Sequence, residues 1–133
     1  MKTKLTILLL TGTVLFFSAC KKRAGEGGTS TIKGRVWAED WNAAFTVKNG
    51  EYAGADEDVY IIYGNDVSYG DKTKASYNGE FEFKYLREGK YRIYVYSKDK
   101  TLTSQSGETS VVRDVEITSK KQTLTMEDLL IYK

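Results

Sequence analysis

Beyond residue 30 the chain alternates apolar and polar side chains in short runs broken by glycine, asparagine and aspartate. A period of two sends successive side chains to opposite faces, which predicts strands buried on one side. The first run is Thr31–Trp37, and the second is Asp58–Tyr63, closed by Gly64-Asn65-Asp66. Lys74–Tyr77 and Glu80–Tyr85 flank Asn78-Gly79, a turn dipeptide because both residues accept positive φ. The clearest run, Lys90–Ser97, follows Gly89. Val111–Ile117 and a C-terminal stretch ending Leu129–Tyr132 complete about seven strands. Between the first two runs lies a longer segment, residues 38–56, with Trp41, Phe45 and a second turn dipeptide, Asn49-Gly50. Phe45–Lys48 and Glu51–Ala53 are predicted to form a small hairpin there. Leu124–Leu130 fits either a strand or one helical turn, and no internal repeat is present.

Short strands at this spacing predict an all-β fold, a two-sheet sandwich of seven or eight strands occupying residues 31–133. The pleat then assigns inward sides. Phe81, Phe83 and Tyr85 share a face opposite Glu80, Glu82 and Lys84, and burial favours the aromatics. In Lys90–Ser97 the branched aliphatics place Tyr91, Ile93 and Val95 inside, leaving Arg92, Tyr94 and Tyr96 outside. In Asp58–Tyr63 the inward set is Val59, Ile61 and Tyr63, with Tyr60 and Ile62 outward.

Residues 1–19 follow a different pattern. Lys2 and Lys4 precede the apolar run Leu5–Leu10, then Val14–Phe17 and the small residues Ser18-Ala19. A positive start, a short apolar stretch and a small-residue cleavage point make a signal peptide, too short to span a membrane. Cys20, directly after two small residues, resembles the lipobox of diderm bacterial lipoproteins. That resemblance implies a thiol carrying diacylglycerol, cleavage before Cys20 and an acylated amine. Several acyl chains on one residue hold a membrane stably, where one binds only reversibly. Residues 20–30 follow as a small, polar, glycine-rich segment with the composition of a flexible spacer. Its Lys21-Lys22-Arg23 cluster suits anionic headgroups. Lysine rather than aspartate after Cys20 implies, by the same resemblance, the outer membrane. No acidic export patch follows, which favours the periplasmic leaflet over the cell surface.

Composition narrows the chemistry. The chain has 20 basic and 18 acidic residues. The leader takes two of the lysines and no acid, so the mature chain is neutral and offers no footprint for nucleic acid. Cys20 is the only cysteine, which excludes an intramolecular disulfide. There is no histidine, which removes the usual metal ligand and the side chain best suited to proton transfer near neutral pH. No Ser-x-x-Lys or Gly-x-Ser-x-Gly pattern occurs. Carboxylate-only catalysis remains open by residue type, but no pair stands out. These features predict a non-enzymatic protein without cofactor or metal.

Four fragments occur in an order that resembles the carboxypeptidase regulatory-like, transthyretin-like domain family. They are Ile32–Val36, Gly54-Ala55 leading into Asp58–Ile61, Asn78–Phe83 and Leu86–Val95. Together they extend over roughly residues 32–117. The resemblance implies a seven- or eight-stranded sandwich of the kind used as modules in bacterial envelope proteins, generally non-catalytic. In that family Gly79 permits a turn, Leu86 plugs the core edge, Gly89 turns the chain and Tyr91 anchors the next strand. Ala75-Ser76 stand where the family usually has Thr-Asp, and residues 38–56 are longer than usual. The family often crosses between sheets near the Asn-Gly, whereas a tight hairpin would keep both flanking strands in one.

If strand order follows that family, Asp58–Tyr63 lies beside Lys90–Ser97. Tyr60, Ile62, Arg92, Tyr94 and Tyr96 then form one exposed, aromatic-rich candidate surface. Cross-strand tyrosine pairs also stabilise sheets without binding anything. Asp56-Glu57-Asp58, with Asn65-Asp66 and Asp71, is a second candidate, but a strand separates the two clusters by ~15–20 Å, too far to share a calcium ion. Lys33 and Asp128 would be the partners of an isopeptide bond of the collagen-adhesin type, although neither sits in a matching motif. The prediction is a membrane-tethered structural or protein-interaction module. The alternative is a carbohydrate-binding module presenting the tyrosine face to glycans.

Overall fold

The computed structural model describes residues 23–133, in which all regular structure is strand. The leader, Cys20 and Lys21-Lys22 lie outside the described residues. The longest strand, β1 (Glu26–Trp41), organises one sheet by changing partners along its length. Its first half pairs antiparallel with β5 (Glu80–Leu86) and parallel with β8 (Thr123–Thr125). Its second half pairs antiparallel with β2 (Lys48–Ala53) and parallel with β9 (Leu129–Tyr132). The exchange happens at Val36. Its N–H donates to the Gly79 carbonyl at 2.8 Å, and its carbonyl accepts from Gly54 N–H at 2.9 Å. Both partners come from chain that is crossing between the layers, so no backbone group is orphaned at the switch.

The second sheet runs β4 (Asp71–Lys74), β3 (Asp58–Tyr63), β6 (Gly89–Lys98), β7 (Glu108–Ile117), antiparallel throughout. The two layers enclose Ile32, Val36 and Ala38 of β1, Phe81, Phe83 and Leu86 of β5, Val59 and Ile61 of β3, Tyr91, Ile93 and Val95 of β6, and Leu129 and Ile131 of β9. Each large apolar side chain buried this way contributes about 1.5–3 kcal/mol. The chain is therefore a two-sheet β-sandwich, with nine strands where seven or eight are expected from the sequence. The inward facing of Val59, Ile61, Phe81, Phe83, Tyr91, Ile93 and Val95 is as the pleat assigns it.

Several elements differ from the sequence reading. Tyr85 is 70% exposed rather than inward, because its φ of 59° interrupts the alternation and hands the core position to Leu86. The register slip opposite, between Glu26, Ser30 and Ile32 of β1, accommodates that kink. Asn78-Gly79 is not a hairpin turn. β4 ends at Lys74, and the chain crosses from one sheet to the other between Ala75 and Gly79, where φ is 77°. A Cβ at Gly79 would overlap the Val36 carbonyl, so the position demands glycine for space as well as for φ. Asn49-Gly50 lies inside β2, where Asn49 is the extra residue of a bulge opposite Asp40 and Trp41, and β2 pairs with β1 instead of forming a separate hairpin. Leu124–Leu130 holds β8 and the start of β9, with no helical turn.

The spacer reading fails over its second half, since Glu26–Ser30 belong to β1. Gly25 N–H donates to the Tyr91 hydroxyl at 2.9 Å, and the Gly25 carbonyl accepts from Arg87 N–H at 2.9 Å. Ser30 is 1% exposed and donates its hydroxyl to the Ser119 carbonyl at 2.9 Å. A side chain at Gly28 would run into the Leu86 backbone. Glycines that suggest slack serve here to bring two backbones together.

Candidate functional site

The outer face of the four-stranded sheet carries the candidate residues. β3 and β6 are neighbours, with Tyr60 registered opposite Tyr94 and Ile62 opposite Arg92. Because β6 alternates, Tyr94 and Tyr96 stand on the same side while Ile93 and Val95 fill the core. Tyr60 and Tyr94 stack, with ring centroids 4.9 Å apart and planes 9° from parallel. Tyr96 meets both edge-on, 5.7 Å from Tyr60 and 5.7 Å from Tyr94. These offset and edge-to-face arrangements suit the quadrupoles of the rings.

Tyr69, which the sequence reading missed, completes the cluster. It belongs to the β3–β4 connection and folds back over Tyr60 at 5.0 Å, interplanar angle 65°. Nothing in the strand pattern signals this, because Tyr69 lies in a loop and reaches the sheet only through the return from β3 to β4. Lys72 of β4, registered opposite Tyr60, holds its ammonium 5.9 Å from that ring and 3.8 Å from the Asp58 carboxylate. On the other flank, Val112 of β7 pairs with Tyr94 and is 43% exposed. Partial burial, then the neighbouring Tyr96 and Tyr60, raises the Tyr94 hydroxyl above its ordinary pKa.

Not every candidate joins it equally. Arg92 points to the β3–β4 loop and donates to the Asp66 carbonyl at 2.6 Å, so it supports the loop that positions Tyr69. Ile62 is half-buried beside it. Tyr60 and Tyr94 are half-buried, while Tyr69 and Tyr96 are 49% and 50% exposed. The surface thus offers two accessible rings, hydroxyl groups and an apolar flank, above two rings that pack mainly against each other.

The acidic residues are engaged elsewhere. Asp58 lies 3.3 Å from Lys74 as well as near Lys72, and Glu57 pairs with Lys133. Asp128 pairs with Arg35, and the Lys33 ammonium is 3.9 Å from Glu82. Among the described residues no three His, Cys, Asp or Glu side chains converge. Asp99, at the end of β6, is buried and caps its own loop. It accepts from Thr101 N–H and hydroxyl, from Thr103 N–H and from Ser104 N–H at 2.6–3.0 Å, which holds its carboxyl well below the usual range. Next to that loop, Lys100 sits 4.1 Å from the Trp41 ring and 4.9 Å from that of Tyr132, a cation–π clamp closing the far end of the sandwich.

No protein-family model matches the chain, and no curated protein matches it. Among solved structures it is similar to a candidate carbohydrate-binding protein of Pseudomonas aeruginosa, at 13% identity and a TM-score of 0.47. That alignment covers 83% of this chain and 92% of the other. It is also similar to the major pilin subunit of Bacillus cereus, at 21% identity and a TM-score of 0.41, over 75% of this chain. The chain spans only 30% of that pilin's length.

Proposed function

We propose that this chain is a lipid-anchored, non-enzymatic envelope protein whose tyrosine-clad sheet face contacts another protein of the envelope. The anchor is Cys20, behind a leader with the lipobox pattern; Lys21 after it favours the outer membrane, and the lack of an acidic patch beyond it favours the periplasmic leaflet. The family resemblance gains support from the crossing at Asn78-Gly79, which passes between sheets as that family often does.

One observation carries the choice of partner. A sugar-stacking platform needs ring faces free toward solvent, yet Tyr60 and Tyr94 spend theirs on each other and receive the edges of Tyr69 and Tyr96. What remains outward is an uncharged ridge of ring edges and hydroxyls with Val112 alongside, a composition typical of protein interfaces. Glycan binding is the second reading, favoured by the half-exposed rings of Tyr69 and Tyr96. The Tyr94→Ala/Tyr96→Ala variant separates the two. On the protein-contact reading it loses a defined envelope partner in co-purification while wild type gives no signal on a glycan array. Specific glycan binding by wild type, abolished in the variant, would establish the second reading instead.

A further inference from the structure

At the end of the five-stranded sheet that carries the β1–β2 and β6–β7 loops, three aromatic side chains gather around one ammonium. Glu39 and Trp41 of β1 continue the outward alternation past the buried Ala38, and Tyr132 of β9 follows the buried Ile131, so all three face outward. Glu39 is registered beside Tyr132. Phe45 of the β1–β2 loop completes the group, 6.4 Å from the Trp41 ring and 6.0 Å, edge-on, from that of Tyr132. The occupant is Lys100, whose Nζ stands 4.1 Å and 4.9 Å from the Trp41 and Tyr132 centroids. Each wall is fixed without help from that lysine. The Trp41 N–H donates to the Lys133 carbonyl at 3.0 Å, and its indole Nε1–H donates to Glu39 at 3.0 Å. The Tyr132 N–H donates to the buried Ser97 hydroxyl at 2.8 Å. Asn42 folds the loop, its side-chain oxygen accepting from Thr46 N–H at 2.8 Å and Val47 N–H at 3.2 Å. That turn holds Phe45 at a φ of 53°, a left-handed conformation that a bulky side chain rarely adopts. Lys100 itself is exposed, and Asp99 fixes its loop through the N–H groups of Thr101, Thr103 and Ser104. The ammonium can therefore leave while box and loop keep their shape.

We propose that this aromatic box is a binding site for a quaternary ammonium group, with Lys100 as a built-in occupant that the ligand displaces. The site is independent of the lipid anchor and of the tyrosine face. Ring faces attract a cation through their quadrupoles, Trp most strongly. Among the described residues the Lys100 ammonium makes no hydrogen bond and no ion pair, so the box offers its three N–H donors no acceptor. A trimethylammonium has no donors to satisfy and gives up less hydration, so it matches these walls better than a lysine does. The charges agree. Lys133 pairs with Glu57 and Lys98 is registered opposite Glu108, whereas Glu39 and Glu51 share a single partner, Lys48, at 3.2 Å and 2.5 Å. That leaves a net negative charge beside the box, which Lys100 offsets here and a ligand cation offsets in its place.

The test is an NMR titration of the full chain with choline at constant chloride. Signals of the Trp41 indole and of the Phe45 and Tyr132 rings should shift, while the Trp37 indole, about 13 Å back along β1, stays in place. Lys100→Ala should bind at least ~10-fold more tightly than wild type, because a tethered competitor has been removed. Choline should also bind more tightly than butylammonium, the counterpart of the Lys100 side chain. A short-chain phosphatidylcholine below its micellar concentration distinguishes the sources of the group. Shifts with both ligands admit a lipid headgroup, and shifts with choline alone assign a free solute. A Trp41 indole unmoved by either ligand in both proteins would overturn the site. Lys100→Ala binding no more tightly than wild type would overturn the role of Lys100, and butylammonium binding as tightly as choline would overturn the ligand class.

Discussion

Tyr91 shows how much one hydroxyl can organise. It accepts from Gly25 N–H and donates to the Arg87 carbonyl at 2.7 Å, tying the entry to β1 to the β5–β6 turn while its ring fills the core. Tyr91→Phe keeps the ring and strands both backbone groups, so it should cost about 1–3 kcal/mol. Urea denaturation reads that loss, and amide exchange should speed up selectively at residues 23–28. Tyr63 is the opposite case. Its hydroxyl is buried without a partner among the described residues, and burial, then the charges of Glu26 and Asp71, pushes its pKa up to about 12. Between the ordinary 10.0 and that value the unfolded chain has already released a proton that the folded chain retains. The unfolded state binds fewer protons there, so stability is full below the lower value and falls as pH rises through the higher one. Tyr63→Phe should be neutral or stabilising at pH 7 and show a shallower alkaline decline in its urea midpoint. Part of the decline persists, because burial shifts Tyr91 and Tyr94 the same way.

At the scale of elements, the crossing at Asn78-Gly79 matters most, since it sends β5 to the sheet opposite β4. Gly79→Ala combines a strained φ of 77° with overlap onto the Val36 carbonyl, and should destabilise by more than about 1 kcal/mol in chemical denaturation. An unchanged midpoint would mean the crossing is less tightly seated on Val36 than its hydrogen bond indicates. The strands themselves were legible in the sequence because one face of each is buried and the alternation is strict, as in Val59–Ile61 and Tyr91–Val95. Legibility ended where glycine serves packing instead of turning. Gly25–Gly28 read as slack, but they join the fold because the Leu86–Arg87 backbone lies against them. Asn49-Gly50 read as a turn, and it is strand because β1 runs on to Trp41 and supplies a partner. Tyr85 misled through a single left-handed residue, which no alternation pattern reveals. The tyrosine face was legible in its strand members, Tyr60, Tyr94 and Tyr96. Its loop member, Tyr69, depends on a return path that only tertiary structure shows.

For the whole molecule, the two sheets carry different surfaces. The five-stranded sheet turns Lys33, Glu82, Lys84 and the Arg35–Asp128 pair outward, exposed ion pairs worth little individually. The four-stranded sheet instead gathers tyrosines around one uncharged centre. Removing Tyr94 and Tyr96 together should cost only about 1–3 kcal/mol, since both rings pack on neighbouring rings above a core that stays intact. The double variant should therefore remain folded by circular dichroism, so that a binding defect in it is a surface effect.

Photocrosslinking in cells probes that surface most directly. A photoreactive phenylalanine replacing Tyr96 should yield a discrete protein adduct that disappears when Tyr94→Ala is added, while the same probe replacing Lys84 on the other sheet yields none. Equal adduct patterns at both positions, or no adduct at 96 together with glycan binding that requires Tyr94, would contradict a protein-contact face.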